Sequence, residues 1–339
     1  MKKIGIFLDE IKDFSISEQE KFAKVAFNTG NLIFWESLKM NLNLDIKSRW
    51  YIKNSEQLDL SEYKAFVTTD LIWIRQMQDL SYLNDILDAI GDLPLAAISV
   101  GLQNDDFNQN FLIHPNTIKV LKRISERFPL GVRGEYTAEI LNKYGINKTV
   151  IIGCPSMYMN TLGLRSVANT SKVVNAVAMN FQTFFKKLDK FEMDFLTYGM
   201  KRNWDFVEQT QNELSTVQIN NDQIFRKVKS WLDQSRKCFF NVDEWRQYLR
   251  QKDFNIGGRF HGNVIGLWEG VPALFLTSDS RTKELCRLFS LPQLDISAFD
   301  GTKPVEYYYE MADYSIFHSK YSKLYINWND YLFKLLKGV

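Results

Sequence analysis

The sequence predicts an α/β fold built of parallel strands and crossover helices and divided into two domains. Short apolar runs of strand length alternate with segments in which apolar residues recur every three or four positions, and this alternation is typical of parallel sheets. The chain has 339 residues, whereas one domain usually takes about 100–200. We therefore expect two Rossmann-like domains that face a cleft.

The first half of the chain supplies one set of strands and helices. Strands are predicted at Ile4–Leu8, Lys64–Thr68, Leu95–Val100, Leu130–Val132 and Val150–Ile152. Helical spacing of apolar residues predicts helices around Leu32–Leu42, Ile118–Ile124 and Glu135–Tyr144. These elements form the predicted N-terminal domain, residues 1–165.

The second half repeats this alternation. Strands are predicted at Val173–Met179, Cys238–Asn241, Phe254–Ile256 and Val271–Thr277, and helices at Val242–Arg250, Gly262–Glu269 and Arg281–Phe289. A cluster of Asn, Thr, Gly and Ser within residues 160–172 predicts a linker. The C-terminal Rossmann-like domain is placed at residues 166–312.

The last segment, residues 313–339, predicts a long amphipathic helix. One apolar stripe at helical period contains Tyr314, Phe317, Tyr321, Leu324, Tyr325, Trp328, Leu332 and Leu335. We expect this helix to pack back on the body of the protein. A membrane-surface role is disfavoured because lysines and aspartates mix on the opposite face.

The composition excludes several classes of protein. The chain has 42 Lys+Arg and 40 Asp+Glu, a net charge of +2, and 45% apolar residues. A disordered chain would be poorer in apolar residues, and a nucleic-acid binder would carry a basic excess. No apolar run reaches the ~18–20 residues of a membrane helix, and the N-terminus is interpreted as a strand instead of a signal peptide. The three cysteines form no CxxC pair, so we expect no metal site and a reducing, cytoplasmic location.

Ligands of doubly wound folds bind where strands end and helices begin. The strongest such junction is Gly257-Gly258-Arg259-Phe260-His261-Gly262. Arg259 and His261 point the same way on an extended segment, and the glycines leave room for a ligand. Because an unperturbed histidine titrates near ~6.5, this junction predicts anion binding and proton transfer.

Two further junctions carry arginines. Arg133 ends a predicted strand just before a helix, where its guanidinium can bind a carboxylate or phosphate. A local ion pair with Glu135 or Glu139 is the alternative. In the second half, Asp279 or Ser280 can cap a helix, and Arg281 either faces the crevice or pairs with Glu284.

The remaining junctions carry small and polar residues. Asn28-Thr29-Gly30-Asn31 offers helix N–H groups to a ligand, or Asn31 simply caps the helix. Ser99–Gln103, with Gly101 and Gln103, either lines the crevice or forms a tight turn. In Gly153–Ser156, Ser156 is expected to offer a hydroxyl to the crevice. Cys154 is disfavoured as a nucleophile because no His or Asn pattern lies near it in the sequence.

Together these junctions resemble the polysaccharide pyruvyl transferase family. The matching pieces are Asn28–Asn31, Ser99–Gln103, Gly131–Glu135, Gly153–Ser156, Arg259–Gly262 and Asp279–Glu284, in the family's order. The most specific stretch is Arg-x-His-Gly, followed by Gly270-Val271-Pro272 and Asp279-Ser280-Arg281.

The resemblance implies a GT-B-like fold and transfer of pyruvate from phosphoenolpyruvate to two sugar hydroxyls as a cyclic ketal. It implies His261 as general acid, with Arg259 and Arg133 on the donor from opposite sides of the cleft. Phosphoenolpyruvate is the donor substrate and no cofactor is implied. The other expected substrate-binding residues are Asn28, Gly30, Asn31, Gly101, Gln103, Ser156, Gly258, Gly262, Asp279 and Arg281.

The acceptor side is less defined. The stretch Thr68–Trp73 departs from the glycine-rich turn of many members, which favours a different acceptor sugar, and no general base is identified. We expect a sugar or lipid-linked oligosaccharide acceptor of a cell-surface polysaccharide, handled in the cytoplasm or at the inner face of the membrane. Association into a homo-oligomer is left open. The alternatives are a nucleotide-sugar glycosyltransferase and a non-catalytic carbohydrate-binding protein.

Overall fold

The computed structural model of the chain describes residues 2–48, 58–159, 167, 173–182, 188–210 and 223–337. The strands of the first half are β1 (Lys3–Phe7), β2 (Leu44–Lys47), β3 (Tyr63–Thr68), β4 (Ile74–Arg75), β5 (Leu95–Ala97), β6 (Leu102–Gln103), β7 (Leu130–Val132) and β8 (Thr149–Ile151). Its helices are α1 (Glu18–Lys24), α2 (Gly30–Asn41), α3 (Leu83–Ala89), α4 (Pro115–Arg127) and α5 (Glu135–Lys143).

The first sheet is parallel, with the order β2-β1-β3-β5. Its register pairs Ile4 of the central strand with Leu44 on one side and with Ala65 on the other. A parallel bridge between Val100 and Val132 joins this sheet to the parallel pair β7-β8. The loops at the carboxyl ends of these strands, including the one that carries Arg133, therefore lie along one edge.

The strands of the second half are β9 (Val177–Asn180), β10 (Asp205–Glu208), β11 (Arg236–Cys238), β12 (Phe254–Gly257), β13 (Ala273–Thr277) and β14 (Gln293–Asp295). The helices are α6 (Lys190–Lys201), α7 (Gln223–Ser235), α8 (Val242–Leu249), α9 (Phe260–Trp268), α10 (Ser280–Phe289), α11 (Val305–Glu310) and α12 (Ser315–Lys337). All six strands are parallel, in the order β11-β10-β9-β12-β13-β14.

The strand order of the second sheet reverses between β9 and β12, because successive strands are added outward from this pair in opposite directions. Ligands of open α/β sheets bind at such a switch point, beyond the carboxyl ends of the strands. Asn180 and Gly257 are paired at this position. The Gly257–Gly262 junction thus begins where the fold itself favours a binding site.

The final helix, α12, crosses from the second domain to the first. Near its start, the Tyr314 hydroxyl donates to the carbonyl of Ala273 in β13 at 2.6 Å. Near its end, the Tyr331 hydroxyl donates to the carbonyl of Pro129, just before β7, at 3.0 Å. Two parallel α/β sheets and a helix that returns to the first domain confirm the predicted fold class, including its GT-B-like arrangement.

Loops at the carboxyl ends of the two sheets contact each other directly. The Thr29 N–H donates to the carbonyl of Gln209 at 2.8 Å, and the Ser280 hydroxyl donates to the carbonyl of Leu102 at 2.8 Å. These contacts hold the two edges face to face. The predicted boundary at residues 165 and 166 lies outside the described residues, and α12 begins two residues after the predicted start of its segment.

Within the described ranges, no helix combines the length and apolar character that crossing a membrane requires.

Candidate active site

The Gly257–Gly262 junction is shaped by very close backbone packing. β12 ends at Gly257, next to the end of β9 at Asn180. A Cβ atom at Gly257 would overlap the backbone oxygen of Asn180, so only glycine allows the two strands to meet here. Gly257 therefore determines the path of the backbone that carries Arg259 and His261.

Buried asparagines hold this junction in place. Asn180 Oδ1 accepts the backbone N–H of Arg259 at 2.8 Å, and Asn180 Nδ2 donates to Asn263 Oδ1 at 2.9 Å. Asn255 Nδ2 donates to the carbonyl of Gly262 at 2.6 Å. The three asparagines are at most 1% exposed. Buried amides whose hydrogen bonds are made fix a backbone strongly, and sequence analysis missed this network.

His261 lies in the first turn of α9 and meets the first domain. Its Nε2 is 3.4 Å from Cys154 Sγ, and its ring centroid is 5.3 Å from that of Phe34. A Cβ at Gly30 would lie 3.3 Å from the Cβ of His261, so the start of α2 also packs against it. The close thiol went unnoticed because Cys154 and His261 are 107 positions apart in the sequence.

Arg133 reaches the site from the first domain. It follows β7 directly, is 5% exposed, and donates from Nε to the Ser99 hydroxyl at 3.2 Å. A Cβ at Gly101 would come within 2.5 Å of Arg133 Cδ, so this glycine gives the arginine its space. The Arg133 side chain is therefore buried and hydrogen-bonded to Ser99, in place of the alternative ion pair with Glu135 or Glu139.

The second domain contributes two further arginines. Arg259 Nη2 donates to the Thr210 hydroxyl at 2.6 Å. Arg281 Nη2 donates to Asp279 Oδ2 at 2.7 Å, and Asp279 Oδ1 accepts the Thr282 N–H at 2.9 Å. Asp279 therefore caps α10, as predicted for this junction, and Arg281 pairs with Asp279, not with Glu284.

The charges of the three arginines act together on the histidine. Burial, followed by the charges of Arg133, Arg281 and Arg259, lowers the pKa of His261 to about 3. Burial and the charge of Arg281 lower the pKa of Arg259 to about 9, and burial lowers the pKa of Arg133. Each shift shows that additional positive charge is unfavourable in this site. The site is therefore electrostatically prepared for an anion.

The predicted residues at the start of α2 are used mainly within the protein. Asn28 Oδ1 accepts the N–H of Gly30 at 2.9 Å, and Asn31 Nδ2 donates to the carbonyl of Val25 at 2.9 Å. The helix begins at Gly30, so Asn31 is inside it and is not its cap, while Thr29, in the cap position, makes no side-chain capping hydrogen bond. Within this group, Gly30 packs against His261.

Three other predicted residues lie at the edge of the site or behind it. Ser156 is fully buried, and its hydroxyl donates to Cys154 Sγ at 3.1 Å instead of facing the crevice. It lies in the 3-10 helix Pro155–Tyr158, whose side chains are all buried. Gln103 Oε1 is 3.5 Å from Arg75 Nε on the exposed side of the first domain. A Cβ at Gly258 would press on the Phe181 ring at 2.9 Å.

Gln209 is a site residue that sequence analysis missed. It follows β10 and is 1% exposed. A Cβ at Gly262 would lie 2.5 Å from its Nε2, and a Cβ at Gly30 would lie 2.7 Å from its Oε1. Among the described residues, its Nε2 has no hydrogen-bond partner. The carboxamide thus lies between the two domains, next to the helix that carries His261.

The fold and this geometry define a two-domain α/β protein with a cationic site, containing one histidine, between its domains. The family model of polysaccharide pyruvyl transferase matches residues 28–280, most of the chain. The chain belongs to this family, and the protein is accordingly a transferase.

Two solved structures to which the chain is similar were determined with UDP bound. Anabaena HepE, solved with UDP and glucose, has a TM-score of 0.47 and 9% identity, over 99% of this chain and 100% of that one. S. aureus MnaA, solved with UDP, has a TM-score of 0.46 and 10% identity, over 97% and 90%. At these values nothing about substrate carries over to this chain. Comparison with curated proteins gave no match.

The part of the chain that the structure describes contains no group of three or more His, Cys, Asp or Glu residues placed to hold a metal ion.

Proposed function

We propose that the protein transfers pyruvate from phosphoenolpyruvate to two hydroxyls of a sugar, as a cyclic ketal, during synthesis of a cell-surface polysaccharide or its precursor. The observation that carries the proposal is that arginines of both domains act on one histidine. Membership of the pyruvyl transferase family supports the type of group transferred. A cytoplasmic location, at or near the inner face of the membrane, is part of the proposal.

The donor is negatively charged, and the site carries positively charged side chains. A phosphate monoester carries close to two negative charges near neutral pH, and the carboxylate adds one. Arg133, Arg259 and Arg281 supply three positive charges, and the Asp279 carboxylate beside Arg281 offsets part of them. Arginine binds carboxylate and phosphate through two parallel hydrogen bonds. The donor would therefore be held from both domains at once.

Donor binding would also bring a proton to His261. With a pKa of about 3, the imidazole of the free protein is neutral at pH 7, which corrects the expectation of a histidine that titrates near ~6.5. The negative charges of phosphoenolpyruvate offset the arginines, so they raise the pKa of His261 in the complex. The histidine then becomes an acid only when the donor is present.

The proposed reaction balances in atoms and charge. His261 gives its proton to the methylene carbon of phosphoenolpyruvate, which becomes a methyl group and leaves the adjacent carbon electrophilic. One sugar hydroxyl oxygen bonds to that carbon. The second hydroxyl oxygen then bonds to the same carbon as the bond to phosphate breaks. Two hydroxyl protons are released: one restores the histidine and the other leaves with phosphate or solvent.

A thermal-shift comparison tests the donor. We expect phosphoenolpyruvate to raise the melting temperature of the protein and UDP-glucose to leave it unchanged, because three arginines match a small trianion. Stabilisation by UDP-glucose alone would support a nucleotide-sugar glycosyltransferase instead. Stabilisation by neither compound would contradict the proposed donor.

A further inference from the structure

A second site lies between the two domains. A cavity of about 430 Å³ is lined by Phe107, by Gln109 and by side chains of α5, α10 and α12. Small-molecule sites typically have about 300–1,000 Å³ and often lie at domain interfaces. None of its lining residues belongs to the cluster of His261, Arg133, Arg259 and Arg281 described above.

The lining of the cavity combines aromatic rings with carboxylates. Phe107 and Tyr136 form an edge-to-face pair with centroids 4.9 Å apart. Glu135 and Glu139 stand exposed on the same wall. Aromatic rings pack on the apolar faces of amphipathic ligands, and ionised carboxylates accept hydrogen bonds from hydroxyl groups. This combination suits a polyhydroxylated ligand.

The innermost carboxyl group of the cavity belongs to Glu284. It is 3% exposed and accepts hydrogen bonds from the backbone N–H and the hydroxyl of Thr137, at 2.7 and 2.8 Å. Burial raises its pKa to about 7. A buried carboxyl group with a perturbed pKa in a cavity is a frequent mark of a functional site.

The cavity adjoins the donor arginine of the first domain. Arg133 and Gly134 lead directly into α5, and a Cβ at Gly134 would lie 2.6 Å from Glu284 Cγ. The charge of Glu284 also acts on Arg133. Glu284 therefore lies between the cavity and the proposed donor site.

The charges of the cavity oppose an anionic ligand. Three carboxyl groups, of Glu135, Glu139 and Glu284, face two cations, Arg287 and Lys320. The Arg287 guanidinium already lies over the Phe107 ring, 4.2 Å from its centroid, and Lys320 Nζ donates to the Ser290 hydroxyl at 2.8 Å. Both cations therefore already have partners, and the exposed carboxylates of Glu135 and Glu139 would repel phosphoenolpyruvate but not an uncharged sugar.

We propose that this cavity binds the sugar acceptor, with an uncharged glycoside against the Phe107 side chain and its hydroxyls donating to Glu135 and Glu139. The assignment of the ligand as an acceptor rests on the proposed function. The binding of a sugar in this cavity does not depend on the identity of the donor.

Saturation-transfer NMR on the full chain tests this site, with the methyl glycosides of glucose, galactose, mannose and N-acetylglucosamine as probes. We expect at least one glycoside to show saturation transfer with the wild type. In Glu139→Ala, the signal of that glycoside should fall by about tenfold, as for the loss of a hydrogen bond to a charged group. In Phe107→Ala it should also fall, because the apolar contact with the ring is lost. Glu126→Ala, an exposed glutamate of α4, is the matched control and should keep the signal.

Each variant is also melted with and without phosphoenolpyruvate. The donor-induced shift should equal that of the wild type, which shows that the variants are folded and the donor site intact. The inference is overturned if no glycoside gives a signal, if the signal survives both cavity variants, if the control loses it equally, or if the donor shift disappears with it. Glycoside binding in a wild type that ignores phosphoenolpyruvate would support the cavity and reject the donor.

Discussion

The two domains build their halves of the site in different ways. In the second domain, a backbone turn held by three buried asparagines carries His261 and Arg259. In the first domain, the corresponding group is the side chain of Arg133. It is hydrogen-bonded to the Ser99 hydroxyl and packs against Gly101, which has no Cβ to displace it. The second half is fixed by backbone and amides, and the first by the placement of one long side chain.

This difference separates stability from ligand binding. A network of satisfied buried amides is costly to break because each lost partner leaves a buried polar group. Burial of the charged Arg133 guanidinium lowers the stability of the free protein, and a bound anion offsets this cost. We therefore expect substitutions in the glycine and asparagines that hold the second half to damage the fold, and substitutions around Arg133 to damage donor binding.

The same substitution in both halves should give the largest contrast. Gly257→Ala places a Cβ on the backbone oxygen of Asn180, so β9 and β12 must separate, and we expect a loss of about 4 kcal/mol or more in the free energy of unfolding. Gly101→Ala meets the Arg133 side chain and, at 3.1 Å, the backbone oxygen of Ile72; it should cost less, about 1–3 kcal/mol, yet weaken donor binding. Urea unfolding measures both. Equal losses of stability would erase the distinction.

Replacing the histidine should remove turnover without removing the fold. We expect His261→Asn to lower the rate of phosphate release about 10²–10⁴-fold, the usual contribution of general acid–base catalysis. His318→Asn, in α12, is the matched control and should stay within about twofold of the wild type, since it leaves the proton donor intact. A His261→Asn enzyme with wild-type turnover would remove this residue from the mechanism.

Replacing Arg133 should weaken donor binding without lowering the stability of the protein. Arg133→Met removes a charge whose burial is unfavourable, so we expect the melting temperature of the free protein to stay or rise. The dissociation constant for phosphoenolpyruvate should rise about 10–100-fold, as for the loss of a charge-assisted hydrogen bond. Titration calorimetry and thermal melting measure the two effects. A drop in melting temperature with unchanged affinity would assign Arg133 a structural role.

The smallest effect is expected at the anchor of that arginine. Ser99→Ala removes the hydroxyl that accepts from Arg133 Nε at 3.2 Å. The loss of one such bond corresponds to about 0.5–1.5 kcal/mol, so donor affinity should fall about two- to tenfold while turnover at saturating donor stays the same. If turnover falls and affinity does not, the serine acts elsewhere in the reaction.

Sequence patterns located the parts of the site that depend on local chain order. The junctions at Arg133 and at Gly257–Gly262 follow buried strands, and apolar runs mark such strands clearly. β10 was missed because its run, Asp205–Glu208, is short and polar at both ends. Gln209 and Thr210 were missed with it, although the rule that selects residues after strands would have found them.

Other features depend on contacts between distant residues. The contact of Cys154 with His261 and the asparagine network join segments 75–107 positions apart. The departure at Thr68–Trp73 proves to be a turn at the end of β3, in which the Asp70 N–H donates to the Thr68 hydroxyl at 3.2 Å. Its effect on the acceptor stays a prediction, as do the domain boundaries.

The account depends most on the proton that His261 gains with the donor. The most direct measurement is calorimetric titration of phosphoenolpyruvate at pH 8, where its phosphate is almost fully ionised, in two buffers of different ionisation enthalpy. Because the pKa of His261 is about 3 in the free protein and rises in the complex, the complex should take up a fraction of a proton that grows as the pH falls. Donor affinity should correspondingly increase as the pH falls toward 7. His261→Asn should take up less than the wild type, only the small fraction of a proton that Arg259, with a pKa of about 9, still binds. Tight binding with no proton uptake by the wild type, or equal uptake by the variant, would contradict the proposed role of the histidine.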